Sequence, residues 1–177
     1  RATNNFAVND ITVSGGSLSS FTAVSSTVYT ATFTPSAAGA TTIDIVGGSF
    51  TDSFGNNNSA STQFTWTYDN TSPTVTITGP TGVASEAFDV TATFSEIVFG
   101  LTANEILVTN GSVTSLSGGG TTYTATINPV LQTNVIVSIA AGVAVDVGGN
   151  VNTASNTYTR QAGSPAAAFE EKKAEIE

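Results

Sequence analysis

The sequence predicts an all-β protein made of two antiparallel β-sandwich domains in tandem. Two observations predict it: apolar and polar residues alternate along short segments, and a long passage of the chain occurs twice. The chain has 177 residues, enough for two small domains, and 40% of them are hydrophobic, enough for real cores. Because the chain contains no cysteine, no disulfide can stabilise either domain.

The repeat is visible in three separate segments, whose partners lie about 94 residues apart. A period this long, with strand-like content, indicates tandem domains rather than a solenoid of short repeats. The matching segments are residues 9–13 with 104–108, residues 29–35 with 123–129, and residues 52–61 with 146–155.

The second copy is the complete one. It contains about seven short segments with apolar residues at every second position, of which residues 88–94 are the clearest. Turn signals such as Gly79-Pro80 and Asn110-Gly111 separate these segments. Seven alternating strands at this spacing predict a two-sheet sandwich of the immunoglobulin type over residues 72–162.

The first copy starts late. Asp10 aligns with Glu105, so nothing in residues 1–71 corresponds to the strands predicted near residues 75–77 and 88–94. We therefore expect residues 1–71 to form a partial sandwich that lacks its first two strands and has an unpaired edge. Either the chain boundary falls inside a domain, or another chain supplies the missing strands by strand exchange. The core residues that would be exposed include Ile11, Tyr29, Phe33, Ile43 and Ile45.

Short segments follow each copy. Residues 68–74 are too few for a flexible tether, and Pro73 stiffens them, which predicts two domains in line. Residues 163–177 predict a linker and then the start of a helix, with Ser164 as a possible cap and acidic residues in the first turn.

The charge distribution is one-sided. The chain has no lysine, arginine or histidine between Arg1 and Arg160. Without basic partners, the carboxylates in this span are either solvated or neutralised by a bound cation. Nucleic acid is excluded as a partner, because phosphate contacts require lysine and arginine. The nine carboxylates are Asp10, Asp44, Asp52, Asp69, Glu86, Asp89, Glu96, Glu105 and Asp146.

Two repeated loops are candidate calcium sites. Asp52 and Asp146 are each followed by glycine and then by Asn56 or Asn150. Carboxylate, amide and backbone carbonyl oxygens from a flexible loop are the ligands that calcium prefers. The alternative is a structural turn in which the aspartate caps backbone N–H groups. The sequence leaves both interpretations open.

Two further acids lie outside these loops. Asp69 is in the segment between the copies, where one cation could be shared by both domains, and Glu96 follows the inward-facing Phe94. Alternatively, Asp69 is a solvated linker acid and Glu96 is an ordinary exposed strand residue. If a single ion binds near the join, we expect Asp69, Glu96 and either Asp146 or Asp52 to hold it.

The sequence gives little support for catalysis. It contains no histidine or cysteine, and outside the C-terminal tail no two acids cluster, so we do not expect an enzyme. Phe64, Trp66 and Tyr68 alternate along one strand. Core packing is the favoured interpretation of these aromatic residues, and a platform that stacks carbohydrate is the alternative.

Four segments resemble the bacterial Ig-like domains of large secreted adhesins, and the segment that begins at Asp69 is similar to the Asp-x-Thr-x-Pro joins between such domains. The resemblance covers residues 6–162 and implies an extended stalk on the bacterial surface, often with calcium at the joins. Residues 161–165 depart from the pattern because they contain no aspartate, so a second ion is not expected there. The four segments are residues 94–96, 104–111, 123–129 and 146–152.

From this resemblance we expect an extracellular structural spacer of a cell-surface adhesin. It would hold a distal binding region away from the cell, with neighbouring repeats of the same protein as partners and calcium as a structural cofactor. The alternative is a ligand-binding module that itself recognises a glycan or a host surface protein.

Overall fold

The computed structural model describes residues 1–163. The chain divides into two compact units, Arg1–Asn70 and a second unit that begins at Thr71. The described residues contain antiparallel β-strands and two short 3-10 helices, which confirms the predicted all-β class. The helix predicted after Pro165 lies outside the described residues.

The first unit has five strands. Its main sheet has the order β1-β4-β5, and β2 and β3 form a separate hairpin. In the main sheet Val13 lies opposite Ile43, which in turn lies opposite Phe64, so the alternating apolar residues share one face. The strands are β1 (Ile11–Ser14), β2 (Gly16–Ala23), β3 (Tyr29–Pro35), β4 (Gly39–Ile45) and β5 (Phe64–Tyr68).

The second unit has two sheets that enclose a core. One has the order β12-β10-β8, and the other has the order β11-β7-β6 with β9 paired to β7. This is the antiparallel sandwich that the alternating segments predict. The strands are β6 (Val75–Thr78), β7 (Phe88–Phe99), β8 (Ile106–Thr109), β9 (Gly111–Pro129), β10 (Asn134–Ile139), β11 (Val145–Asp146) and β12 (Tyr158–Gln161).

The long strand β9 folds back on itself. The Thr114 hydroxyl donates to the Thr126 carbonyl oxygen at 3.1 Å, so the beginning and the end of β9 lie side by side. Gly118 lies near the reversal with a φ of +95°, and a Cβ there would lie 2.4 Å from the Thr122 carbonyl oxygen. Only glycine fits this position. In the first unit the same region forms the hairpin of β2 and β3.

The two units bury equivalent positions to different extents. In β10 of the second unit, Val137 and Ile139 are 0% and 1% exposed. Full burial of such a side chain stabilises a fold by about 1.5–3 kcal/mol. The equivalent residues of the first unit, Ile43 and Ile45, are only half-buried. The first unit therefore has the weaker core.

The weaker core of the first unit has a structural origin. Among the described residues, the first unit contains no strands equivalent to β6 and the beginning of β7. Phe64 is 61% exposed and Trp66 is 45% exposed on β5, although both lie on the apolar face of the sheet. The sequence favours both as core residues. In the described part of the chain, however, no layer of strands covers them.

No helix in the described part of the chain combines the length and the apolar character needed to cross a membrane.

Candidate metal centre

The two units position equivalent residues in the same way, which allows a direct comparison. In the first unit the Tyr29 hydroxyl donates to the Thr3 carbonyl oxygen at 2.9 Å. In the second unit the Tyr123 hydroxyl donates to the Val98 carbonyl oxygen at 3.1 Å. Thr3 is therefore equivalent to Val98, which makes Arg1 the equivalent of Glu96.

In the first unit, the Asp52 side chain accepts hydrogen bonds from the loop that follows it. Its Oδ1 accepts hydrogen bonds from the backbone N–H groups of Phe54 and Asn56, both at 2.9 Å. The Asn56 side-chain amide donates to both carboxylate oxygens, at 3.1 and 3.0 Å. These contacts are those of a structural turn in which aspartate caps backbone groups.

A basic side chain neutralises the same carboxylate. Nη1 of Arg1 lies 2.8 Å from Oδ2 of Asp52. The Arg1 guanidinium, followed by the hydrogen bonds from Asn56, holds the pKa of Asp52 well below its usual range. Asp52 is therefore charged and already has its counter-ion.

Asp146 forms the equivalent turn in the second unit but is more buried, at 5% exposure. The backbone N–H of Asn150 donates to Oδ1 at 2.8 Å, and the Asn150 side-chain amide donates to Oδ2 at 3.0 Å. Burial raises the pKa of Asp146, but these hydrogen bonds outweigh it and the net shift is downward. Asp146 is therefore a buried carboxylate that stays ionised.

Three carboxylates meet at this position. Asp69, Glu96 and Asp146 each offer one oxygen, and the three oxygens lie within 4.8 Å of one another. Asp69 and Glu96 are half-buried. Where the first unit places the Arg1 guanidinium beside Asp52, the second unit places the Glu96 carboxylate at the equivalent position beside Asp146. Negative charges this close repel one another, and a cation bound among them would relieve that repulsion.

The donor set fits calcium. Oxygen ligands of one calcium ion, each about 2.4 Å from it, are at most about 4.8 Å apart, so separations within this limit are compatible with a shared ion. Magnesium needs ligands at about 2.1 Å in a near-ideal octahedron, which requires a tighter site. The hydrogen bonds from Asn150 fix the orientation of the Asp146 carboxylate, as outer partners of metal ligands commonly do.

The predicted site residues thus fall into two groups. Asp69, Glu96 and Asp146 come together, and Asn150 contacts the group through Asp146. Asp52 and Asn56 instead form the separate turn of the first unit. Of the two alternatives for the third acid, the geometry brings Asp146 rather than Asp52 into the cluster.

Asn152, which the sequence alone does not single out, supports the loop that carries Asp146. It is 2% exposed, and its side chain makes four hydrogen bonds to the backbone. The signal that could reveal it is its recurrence as Asn58 in the first copy. Its partners are the N–H groups of Val143 and Ala144 and the carbonyl oxygens of Ala140 and Thr153.

A family model described as "Bacterial Ig-like domain" matches the chain twice, at residues 1–68 and 69–162. The two matches cover most of the chain, which therefore belongs to the bacterial Ig-like domain family. No curated protein and no solved structure matched the chain. The second match begins at Asp69, so all three clustered carboxylates belong to the same match.

Membership of this family indicates the general class of protein to which the chain belongs. Bacterial Ig-like domains are in general non-enzymatic structural modules, typically found in extracellular or surface proteins. A tandem of two such domains is a structural repeat.

Proposed function

We propose that the chain is a structural spacer of a bacterial cell-surface adhesin, which holds a distal binding region away from the cell. The observation that carries the proposal is the pair of consecutive family matches, at residues 1–68 and 69–162. Consecutive copies of one domain extend a chain without adding new chemistry. Neighbouring repeats of the same protein are then its partners.

Calcium is the proposed structural cofactor, held by Asp69, Glu96 and Asp146. Support comes from the three oxygens within 4.8 Å of one another and from the ionised, buried state of Asp146. An ion that binds only the folded form stabilises it by mass action, by about 2.7 kcal/mol when its concentration is a hundred times its Kd. Extracellular sites can be weak, because millimolar calcium surrounds them.

Thermal unfolding in calcium and in chelator tests the cofactor. We expect millimolar calcium to raise the melting temperature of the second unit in the parent chain. Glu96→Gln should remove most of this increase, because it removes one of the three charges and keeps the side-chain size. Glu86→Gln is the matched control, since Glu86 is exposed and is not part of the cluster. Equal calcium responses in both variants would contradict the proposed site.

A ligand-binding module is the second candidate, and one observation favours it. Phe64 and Trp66 present aromatic surface at 61% and 45% exposure, and exposed aromatic rings can stack on sugars. The Trp66 and Tyr68 rings are tilted by 56° with centroids 5.7 Å apart, so they do not form one flat platform.

A glycan array separates the two candidate functions. A spacer should show no saturable binding to any glycan. Saturable binding that is lost in Trp66→Ser and kept in Phe54→Ser would instead favour the ligand-binding module. Phe54 is a suitable control because it is 85% exposed and lies in a loop.

A further inference from the structure

We propose that Asn110 is a site of spontaneous covalent modification, where the side-chain amide is lost and aspartate and isoaspartate form through a cyclic imide with Gly111. In the folded chain the reaction requires that the hydrogen bond between Asn110 and Asn134 opens first. The product weakens the turn between β8 and β9. The inference is independent of the proposed spacer and calcium functions.

Asn110 and Gly111 form the reversal between β8 and β9. Asn110 has a φ of +59°, a left-handed conformation that asparagine and glycine adopt more readily than other residues. A Cβ on Gly111 would lie 2.9 Å from the Asn128 carbonyl oxygen, which is too close for a side chain. The turn therefore requires glycine directly after its left-handed residue.

The first unit makes the same turn without an asparagine. Gly15 has a φ of +78°, and its carbonyl oxygen accepts a hydrogen bond from the Ser36 N–H at 3.0 Å. The Asn110 carbonyl oxygen accepts from the Val130 N–H in the same way, at 2.8 Å. The backbone geometry of the turn therefore does not require asparagine at position 110.

The Asn110 side chain adds one contact that glycine cannot make. Its Nδ2 donates to the carbonyl oxygen of Asn134, the first residue of β10, at 2.8 Å. Because β10 is the neighbour of β8 in the sheet, this bond ties the turn to the adjacent strand. Loss of Nδ2 would remove the bond.

The residue that follows Asn110 makes it chemically labile. Asn110 is the single asparagine of the chain that is followed by glycine, and it is exposed to water. Asparagine is among the thermally labile residues. Because glycine has no side chain to hinder the approach, the Gly111 backbone nitrogen can reach Cγ of Asn110 once the turn opens.

The reaction consumes one water and releases one ammonia. The Gly111 nitrogen loses its proton to hydroxide and attacks Cγ of Asn110, so that a new C–N bond forms. The bond between Cγ and Nδ2 breaks, and Nδ2 leaves as ammonia with a proton from water. Water then opens the cyclic imide at either of its two carbonyl carbons. One opening gives aspartate, and the other gives isoaspartate, whose main chain runs through the former side-chain carbon.

The folded structure slows this reaction. Nδ2 is held by the Asn134 carbonyl oxygen, and the backbone of Asn110 is held by the Val130 N–H. Both bonds must open before the imide can close, and each contributes up to about a factor of ten to the closed state. We expect Asn110 to convert about tenfold to a hundredfold more slowly in the folded chain than in the unfolded chain.

The product changes the turn of the second unit alone. In the aspartate product an oxygen replaces Nδ2 and faces the Asn134 carbonyl oxygen, so two hydrogen-bond acceptors meet. In the isoaspartate product the main chain gains one carbon atom within the turn. Both products weaken the turn. Gly15 has no amide to lose, so the equivalent turn of the first unit cannot undergo the reaction.

Incubation of the full chain at mildly alkaline pH, followed by peptide mapping with mass spectrometry, tests the modification. Asn110 should convert before any other asparagine of the folded chain, and an isoaspartate-specific methyltransferase should label the product. The same chain unfolded in guanidinium chloride gives the reference rate. Equal rates in the folded and unfolded chains would overturn the proposal. So would a folded chain in which another asparagine converts first, or in which Asn110 is intact well beyond about a hundred unfolded-state half-times.

Thermal unfolding of two variants tests the effect on the turn. Asn110→Asp reproduces the aspartate product, whereas Asn110→Gly copies Gly15 and removes the amide without adding a charge. Because the first unit forms this turn with glycine, we expect the glycine variant to fold. The second unit should melt at a lower temperature in Asn110→Asp than in Asn110→Gly. A melting temperature of Asn110→Asp equal to or above that of Asn110→Gly would overturn the proposed weakening.

Discussion

Arg1 donates a hydrogen bond from Nη1 to Oδ2 of Asp52 at 2.8 Å, at the position where the second repeat has Glu96 and Asp146. The two repeats therefore differ in the charge that they place beside the same loop. In the first repeat the positive charge is the Arg1 guanidinium. The second repeat has the Glu96 carboxylate at the position of Arg1, and we propose that it takes up a metal ion instead.

The substitution Glu96→Arg should convert the second arrangement into the first. An arginine at this position can pair with Asp146 as Arg1 pairs with Asp52, so the variant should stay folded without calcium. We expect its melting temperature in chelator to equal or exceed that of the parent chain. Calcium should no longer raise that temperature. Thermal unfolding followed by circular dichroism, with and without calcium, measures both effects.

Equivalent isoleucines should differ in their contribution to stability. Ile139→Ala removes a side chain that is 1% exposed and should lower the free energy of unfolding of the second unit by about 2–5 kcal/mol. Ile45→Ala should cost its unit clearly less, because Ile45 is half-buried. Urea denaturation measures both, with Trp66 fluorescence for the first unit and hydrogen exchange for the second. Equal losses would contradict the difference in core burial.

Asn152 should be the most sensitive polar residue of the second unit. Asn152→Ala leaves four backbone groups without their side-chain partner, and each buried unsatisfied group costs about 1–3 kcal/mol unless water replaces the bond. Asn58→Ala is the control in the first unit, where the asparagine is only partly buried. We expect Asn152→Ala to lower the melting temperature more. A smaller effect than that of Asn58→Ala would show that water replaces these bonds.

The Arg1–Asp52 pair predicts a dependence of stability on pH. The pKa of Asp52 is lower in the folded chain than in the unfolded chain, where it is about 3.9. Its contribution is therefore present above about pH 4 and is lost as the pH falls through the lower, folded-state pKa. Arg1→Gln should weaken the first unit at neutral pH and make its loss of stability below pH 4 shallower. Parallel profiles for parent and variant, measured by Trp66 fluorescence, would contradict this assignment.

The sequence predicts much of this fold because its signals are local. Alternation in residues 88–94 and the turn at Asn110-Gly111 indicate strands and a reversal without knowledge of the partner strands. Pairing is different, since β7 contacts β9 across more than twenty intervening residues. The loss of burial at Phe64 and Trp66 depends on which strands are present to cover them, and aromatic character alone does not predict it.

The residues of the candidate metal site could also be predicted in part from the sequence. The deficit of basic residues singles out the carboxylates, and the repeat pairs Asp52 with Asp146. The turn contacts that distinguish a capping aspartate from a metal ligand depend on the three-dimensional structure. So does the equivalence of Arg1 with Glu96, because it rests on the hydrogen bonds of Tyr29 and Tyr123.

Calorimetric titration of calcium into the chelator-treated full chain is the direct test of the proposed binding of one calcium ion at Asp69, Glu96 and Asp146. We expect a stoichiometry of one ion per chain and much weaker binding of magnesium. Asp69→Ala should lower the affinity at least tenfold, whereas Asp44→Ala, which removes an acid outside the cluster, should leave it unchanged. Absence of calcium binding, or binding that Asp69→Ala does not weaken, would show that these three carboxylates are not a calcium site.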